Sequence, residues 1–146
     1  KPVLLGQSRG GLMMLSWAVR NPKRVGGFAG IYPVLNLRSW PMKRNLGPTL
    51  ADFGMDRDAF SHVIVQYNPI NHLAGLAQAK VPIRIVHGDS DRVVPLEENS
   101  AIVVDRYRKL GGDANVEVVP GTGHQVVDEF FKSAKLIQFM LERSAR

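Results

Sequence analysis

Short apolar runs alternate along the chain with longer stretches in which apolar residues recur at helical spacing. Runs of this length are typical of buried β-strands, and the periodic stretches are typical of amphipathic helices. Because helical stretches separate the runs, the pattern predicts an α/β fold, with a parallel sheet of about four strands and flanking helices. The four strands are predicted at Val3 to Gly6, within Val25 to Val34, at Ile83 to His87 and at Val116 to Val119.

Three helices are predicted around these strands. The first runs from about Gly11 to Arg20 and ends before Asn21-Pro22, because a residue that precedes proline disfavours the helical conformation. The second runs from about Leu96 to Leu110, where Gly111-Gly112 provides a C-terminal cap. The last runs from about Asp128 to Arg143 with five apolar residues at helical spacing, namely Phe130, Phe131, Ala134, Ile137 and Leu141.

Residues 35–80 form a long insertion between two predicted strands that a single crossover helix could connect. We expect a loop rich in tryptophan and proline, a helix at about Asp56 to Tyr67, and a short helix near Asn71 to Gln78. The segment is either a cap over a site or a plain extended crossover. The loop residues are Trp40, Pro41 and Pro48.

Residues 1–146 are expected to form a single domain, since the sequence contains neither internal repeats nor a linker. The chain starts with Lys1-Pro2 instead of methionine, directly before an apolar strand. We therefore expect it to be the later part of a longer protein.

The amino-acid composition excludes several classes of function. Hydrophobic residues make up 45% and charged residues 22%, as in folded globular proteins, and no apolar run approaches the roughly 18 residues of a membrane span. There is no cysteine, so the chain has no thiolate nucleophile or sulfur-ligated metal site. Histidines and carboxylates also lack metal-ligand spacing, so we expect neither a metal nor another cofactor.

The formal net charge of +6 raises the question of nucleic-acid binding. The basic residues are scattered and form no run of five or more, so no nucleic-acid partner is expected. Their densest cluster lies between Arg38 and Arg44 and includes Trp40. We interpret this cluster as a solvated loop or the rim of a substrate cleft.

The stretch VLLGQSRGGLMML places Ser8 at the junction between the first predicted strand and the first predicted helix. Gly6 and Gly10 leave no side chain on either side of the serine. Strand and helix can therefore approach closely while Ser8 takes a strained conformation that projects its hydroxyl outward. This is the nucleophile-elbow pattern. Alternatively, the turn is a glycine-rich cradle for an anion at the helix N-terminus.

A serine nucleophile needs a base and a group that orients the base. Asp91 follows the third predicted strand in HGDSDRVVP, and His124 follows the fourth in PGTGH. Because the carboxyl ends of parallel strands meet at one edge of the sheet, we expect Ser8, Asp91 and His124 to lie close together. Asp89 is an alternative candidate for the acid, although it also suits a turn-forming role.

The pieces GQSRGG, HGDSDRVVP and GTGH, in this order, resemble the carboxyl-terminal half of an α/β-hydrolase. They are most similar to the prolyl-oligopeptidase-like and dienelactone-hydrolase-like esterases. The resemblance covers essentially the whole chain and implies that its strands are the last four of about eight. The family pattern places the acid at Asp91, two residues after Asp89.

The resemblance also assigns roles. Ser8 would be the nucleophile, His124 the general base and then acid, and Asp91 the orienting carboxylate. The backbone N–H of Arg9 would be one oxyanion-hole donor. The family takes its second donor from a loop after the third strand of the full fold. An upstream segment of the same protein is therefore expected to complete the sheet and the site.

Several other residues have alternative interpretations. The Arg9 side chain could bind a substrate carboxylate or form a salt bridge with the upstream segment. Tyr32 and Trp40 could line an acyl or sugar pocket, or simply pack in the interior. His87 is expected to make a buried hydrogen bond near the acid loop. His62 and His72 of the insertion are expected to be surface or packing residues. Glu97 and Glu98 are expected to start a helix, where negative charge complements the helix dipole.

The resemblance implies a serine hydrolase that cleaves an ester through an acyl-enzyme. We expect a small-molecule partner, such as a carbohydrate ester or another small carboxylic ester, because nothing in the segment marks a peptide-binding module. Two alternatives stay open. One is a serine peptidase of prolyl-oligopeptidase type, and the other is a catalytically silent interaction module.

Overall fold

The centre of the molecule is a four-stranded parallel sheet, and the computed structural model describes residues 1–145. The strands follow each other in space as they do along the chain, in the order β1-β2-β3-β4. The predicted α/β fold is therefore confirmed, and each strand overlaps its predicted run. The strands are β1 (Val3–Gln7), β2 (Gly27–Ile31), β3 (Ile83–Gly88) and β4 (Ala114–Val119).

Helices cover both faces of this sheet. The π-helical turn Glu97–Ala101 leads directly into the sixth α-helix, and 3₁₀ turns lie at Pro22–Arg24 and Pro69–Asn71. The α-helices of residues 1–145 are α1 (Arg9–Arg20), α2 (Trp40–Arg44), α3 (Leu46–Phe53), α4 (Arg57–Tyr67), α5 (Ala74–Gln78), α6 (Ile102–Lys109), α7 (Asp128–Phe131) and α8 (Ala134–Ser144).

The core around the sheet divides into two clusters, one on each face, because neighbouring residues of a strand point to opposite faces. On β3, Ile85 joins the cluster beneath α1, α5 and α6, whereas the next residue, Val86, joins the cluster beneath α7 and α8. All five residues of β2 are buried. The sheet is therefore a rigid support for whatever follows the carboxyl ends of its strands.

The prediction of one continuous helix from Asp128 to Arg143 is wrong, because the chain breaks between α7 and α8. Ser133 occupies the break and caps α8 by accepting a hydrogen bond from the Leu136 N–H at 3.2 Å. Its hydroxyl donates to Glu117 Oε2 of β4 at 2.6 Å. The break therefore ties the start of α8 to the edge of the sheet.

The insertion at 35–80 is more helical than predicted. The expected loop contains α2 and α3, whereas the predicted helix at 56–67 is confirmed as α4, with Asp56 as its N-cap. These helices bury a third apolar cluster of their own, centred on Leu37, Phe60 and Ile64. The insertion is thus a small packed layer whose first helix begins at Trp40.

Candidate active site

Ser8 lies in the sharp turn between β1 and α1. Its backbone has φ 47° and ψ −126°, which a residue with a side chain rarely adopts. Three hydrogen bonds hold this conformation. The Ser8 N–H donates to Ile31 O at 3.1 Å, and Ser8 O accepts from the N–H groups of Gly11 and Val34 at 2.9 and 2.8 Å. The strain is therefore imposed by the end of β2 and by the first turn of α1.

Close packing of strand and helix depends on Gly6 and Gly11. A Cβ on Gly6 would lie 2.5 Å from the Cα of Gly11, and a Cβ on Gly11 would lie 2.4 Å from Cβ of Pro33. The corresponding expectation for Gly10 is wrong, because a Cβ there would meet no atom within 4 Å. The elbow thus needs the glycine before Ser8 and the second glycine after it.

Ser8, His124 and Asp91 form one hydrogen-bonded array. Ser8 Oγ lies 2.9 Å from His124 Nε2, and His124 Nδ1 lies 2.8 Å from Asp91 Oδ2. A carboxylate can only accept, so Nδ1 carries the proton and Nε2 of the neutral ring can accept from the Ser8 hydroxyl. These three side chains come from the carboxyl ends of β1, β3 and β4.

Asp91 is held as an ionised group. Its Oδ1 accepts hydrogen bonds from the N–H groups of Val93 and Val94 at 2.9 and 2.8 Å. Burial raises the pKa of this carboxyl, but hydrogen bonds from His124, His87 and Val94 outweigh burial and hold the pKa well below its usual range. The His124 ring therefore faces a negative charge at neutral pH.

Asp89, the alternative acid, makes different contacts. Its Oδ1 accepts from the Gly121 N–H at 2.7 Å and from the Ser90 hydroxyl at 3.0 Å. Gly88 lies so close to the second loop that a Cβ there would be 1.9 Å from Thr122 O. Asp89 therefore fastens the loop that carries the acid to the loop that carries the histidine, a role that sequence reasoning missed.

The other histidines do not contact Ser8 or His124, although His87 lies behind Asp91. As expected, His87 is fully buried, and it lies 2.7 Å from Ser100 Oγ and 2.9 Å from Val94 O. His62 and His72 are exposed and donate to main-chain oxygens of the insertion.

A cleft of about 560 Å³ opens in front of Ser8. Trp40, the first residue of α2, is half-buried and forms part of its wall. The cleft is lined by Gln7, Ser8, Arg9, Gly10, Met13, Trp40, Val93, Val94 and His124.

Tyr32 does not line this cleft, because it is only 2% exposed. Its ring packs 4.6 Å from the ring of His124, and its hydroxyl accepts a hydrogen bond from Gln7 Nε2 at 2.6 Å. Burial raises the pKa of the Tyr32 hydroxyl, so it stays protonated at neutral pH. The residue supports His124 from behind.

Arg9 contributes both its side chain and its backbone to the surroundings of Ser8. It is the first residue of α1, so its N–H has no acceptor within the helix and lies directly beside the serine. Arg9 forms part of the cleft wall, and its side chain makes no ion pair with the other described residues.

The described residues offer no metal site, since they contain no group of three or more His, Asp or Glu side chains able to hold an ion. Likewise, none of the helices in this part of the chain has the length and apolar character needed to cross a membrane.

The parallel sheet with helices on both faces, and the serine on the turn after its first strand, are the arrangement of an α/β-hydrolase fold. Residues 1–142 match the prolyl oligopeptidase family, Peptidase_S9, and the chain belongs to this family. The resemblance seen in the sequence motifs is therefore confirmed.

Two relatives are similar in sequence, each at 28% identity over 87% of this chain. One is a monoacylglycerol lipase of Mycolicibacterium smegmatis, and the other is acyl-protein thioesterase 1 of Gibberella zeae. The matches cover 56% and 42% of the two relatives, so the chain spans about half of their length.

Solved structures share the fold at lower identity. Dipeptidyl peptidase 4 of Porphyromonas gingivalis superposes on 96% of this chain and 19% of its own, with a TM-score of 0.75 and 14% identity. Acylaminoacyl peptidase of Pyrococcus horikoshii superposes on 99% of this chain and 24% of its own, with a TM-score of 0.72 and 13% identity.

Proposed function

We propose that the protein hydrolyses a small carboxylic ester by acyl transfer, with Ser8 as the nucleophile. The observation that carries this proposal is the unbroken array from Ser8 Oγ through His124 to Asp91, with contacts of 2.9 and 2.8 Å. A serine hydroxyl is a weak nucleophile unless a base can remove its proton, and the array supplies that base together with the carboxylate that orients it.

In the proposed reaction, Ser8 Oγ forms a bond to the ester carbonyl carbon while its proton moves to His124 Nε2. The tetrahedral intermediate then breaks its bond to the alcohol oxygen, which leaves with the proton from Nε2. Water attacks the acyl-enzyme with His124 again as the base, which releases the acid and restores Ser8. Asp91 stabilises the imidazolium that forms in both halves of the reaction.

The Arg9 N–H suits the role of one oxyanion donor, because it follows the nucleophile and begins α1. We propose that a segment outside residues 1–146 supplies the second donor. The open cleft in front of Ser8 supports this proposal, since it leaves room for a further loop beside Gly10.

An ester substrate is favoured over a peptide by the names of the sequence relatives, which are a lipase and a thioesterase. A peptidase is the second candidate, because the matched family and the solved structures of similar fold carry peptidase names. A catalytically silent module is the third, and the intact array argues against it.

The first test compares ester hydrolysis by the purified wild-type protein, Ser8→Ala and Ser61→Ala. Ser61 is an exposed serine of α4 and serves as the control. We expect Ser8→Ala to lose essentially all activity while Ser61→Ala keeps it. Hydrolysis that survives in Ser8→Ala would reject the serine as nucleophile, and an inactive wild type would support the silent module.

A substrate panel separates the two enzymatic candidates. Acetyl and longer-acyl p-nitrophenyl esters are compared with aminoacyl and prolyl p-nitroanilides. The proposal predicts a higher kcat/KM for at least one ester than for every anilide, after correction for the spontaneous reaction of each substrate. The opposite ranking would favour the peptidase.

A further inference from the structure

His87 lies behind Asp91 at the end of β3, and it has no role in the steps of the proposed reaction. Its side chain is fully buried, and its Nε2 lies 2.9 Å from Val94 O and 3.4 Å from Asp91 Oδ2. On the other side of the ring, Nδ1 lies 2.7 Å from Ser100 Oγ. Both ring nitrogens are therefore engaged in the interior, close to the proposed acid.

These contacts determine which nitrogen carries the proton. The main-chain oxygen of Val94 can only accept, so His87 Nε2 must be the donor on that side. The neutral ring then accepts at Nδ1 from the hydroxyl of Ser100, which gives that buried hydroxyl its partner. The Nε2–H group is the positive end of a bond dipole and lies near the Asp91 carboxylate, with 3.4 Å between His87 Nε2 and Asp91 Oδ2.

His87 and Asp91 hold the same short segment from two sides. The N–H of Val94 donates to Asp91 Oδ1 at 2.8 Å, while the main-chain oxygen of Val94 accepts from His87 at 2.9 Å. The orientation of Val94 is therefore fixed at both ends of the residue. A shift of His87 would move a main-chain donor that sets the direction of the Asp91 carboxylate.

Ser100 has its own support on the π-helical turn Glu97–Ala101. Such turns are rare and frequently occur at functional sites. The neighbouring Asn99 is fully buried and accepts from the Leu35 N–H at 3.0 Å, and it donates to Ser39 Oγ at 2.9 Å. The turn is thereby clamped to the start of the insertion, so Ser100 presents its hydroxyl to His87 from a fixed position.

We propose that His87, oriented by Ser100, is a positioning residue that holds Asp91 in line with His124 during acyl transfer. The inference rests on the proposed function, because it concerns the efficiency of the same array. His87 does not line the cleft, so it acts through Asp91 and Val94 and not through the substrate.

The test measures kcat and KM for the best ester, together with the rate of covalent labelling by a fluorophosphonate. His87→Leu removes both hydrogen bonds of the ring. Because small misplacements of catalytic groups cost up to about a hundredfold in rate, we expect kcat and the labelling rate to fall roughly 10- to 100-fold, with KM nearly unchanged. His87→Gln keeps a donor near Val94 O and should retain more activity.

A double-mutant cycle tests the role of Ser100. Ser100→Ala should lower kcat in the wild-type background and cause no further loss in the His87→Leu background, because the serine acts only through the ring. Tyr107→Phe is the matched control, since it removes a buried hydroxyl that donates to Val81 O at 2.6 Å, away from the acid loop. It should keep wild-type kcat.

Specific results would overturn the inference. One is a folded His87→Leu protein with wild-type kcat and labelling rate. Another is a double variant in which the reductions in kcat caused by His87→Leu and Ser100→Ala multiply, since this would show that the two residues act independently. His87→Leu cannot be used for this test if it fails to fold, which the absence of a cooperative unfolding transition would reveal. In that case, wild-type kcat in both His87→Gln and Ser100→Ala would overturn the inference. A wild-type protein that neither turns over ester nor reacts with the probe rejects the proposed function itself, which is a distinct outcome.

Discussion

At the scale of single residues, the site depends on unusual backbone conformations at two neighbouring strand ends. Ser8 follows β1 with φ 47°, and Tyr32 follows β2 with φ 33°. Each such residue costs on the order of 1–3 kcal/mol and persists only where its surroundings enforce it. Here the Tyr32 N–H donates to Val86 O at 2.9 Å, and Ser8 is held through Ile31 and Val34. The strain thus places the serine in front of the sheet and the tyrosine behind His124.

Gly6→Ala should disrupt the elbow, because the new Cβ would lie 2.5 Å from the Cα of Gly11, and neither backbone can move without shifting Ser8. We expect a loss of about 1–3 kcal/mol in unfolding free energy, measured by urea denaturation, together with loss of ester hydrolysis. Gly47→Ala is the control, since its Cβ meets no atom within 4 Å and alanine favours the helix. Wild-type stability and activity in Gly6→Ala would contradict the close packing.

Asp91→Asn should lower kcat by about a thousandfold or more, because the neutral amide no longer stabilises the imidazolium. The substitution also has a pH-dependent effect on stability. Since the folded protein holds the pKa of Asp91 below its unfolded value of about 4, the ionised carboxylate stabilises the fold above pH 4. That contribution is lost as the pH falls below 4 toward the folded pKa.

Urea denaturation of wild type and Asp91→Asn at pH 7 and pH 3 measures this effect. We expect the stability advantage of the wild type to be larger at pH 7 than at pH 3. An equal advantage at both values would show that the hydrogen bonds to Asp91 do not favour its ionised form.

The positions of Ser8, Asp91 and His124 could be predicted because each follows a strand, and parallel strands bring their carboxyl ends to one edge. The contacts that support them depend on packing between distant segments. No local sequence pattern therefore predicts the hydrogen bond from the Gly121 N–H to Asp89, or the one between His87 and Ser100. Tyr32 was equally ambiguous, because an aromatic residue at a strand end can face either a cleft or the interior.

At the scale of elements, the insertion shows how proline misleads a local prediction. Pro41 and Pro48 suggested a loop, yet both lie in the first turns of α2 and α3. A proline in a first turn lacks only an N–H that has no helical partner there.

The break before α8 is a different case. Ser133 could have been recognised as an N-cap, but the continuous apolar spacing concealed it.

Phe60→Ala tests whether the insertion is a packed layer. Phe60 is fully buried, with its ring centroid 4.7 Å from that of Phe53, so its loss should lower the unfolding free energy by about 3–5 kcal/mol. Val65→Ala on the same helix is the control, because Val65 is 56% exposed and its truncation should have little effect. Similar urea midpoints for the two variants would mean that the cluster contributes little to stability.

At the scale of the whole molecule, both edge strands of the sheet carry an exposed apolar side chain, Leu5 on β1 and Val118 on β4. On α1, which packs against β1, Met13 and Trp17 are exposed as well. Within residues 1–145, both β1 and β4 pair on one side only. We propose that a further segment of the protein pairs with β1 and covers the exposed side chains of β1 and α1, which would also bring a loop to the open cleft.

Hydrogen exchange of the intact protein can compare these two edges. If another strand pairs with β1, amides of Val3–Gln7 should exchange as slowly as those of the central β2. Amides of Ala114–Val119 in β4 serve as the reference for an edge strand, with faster exchange expected at alternate positions. Equal exchange in β1 and β4 would contradict the proposed pairing.

The most direct test of Ser8 as the nucleophile is to identify the residue that a fluorophosphonate modifies covalently. The protein is labelled, digested, and analysed by tandem mass spectrometry, with an acid-unfolded sample as the control for nonspecific reaction. Activation by His124 predicts one phosphonyl group per chain, attached to Ser8 of the GQSRGG segment and absent from the unfolded sample. A label on another residue, or an unmodified Ser8 in protein that hydrolyses esters, would contradict the assignment of Ser8 as the nucleophile.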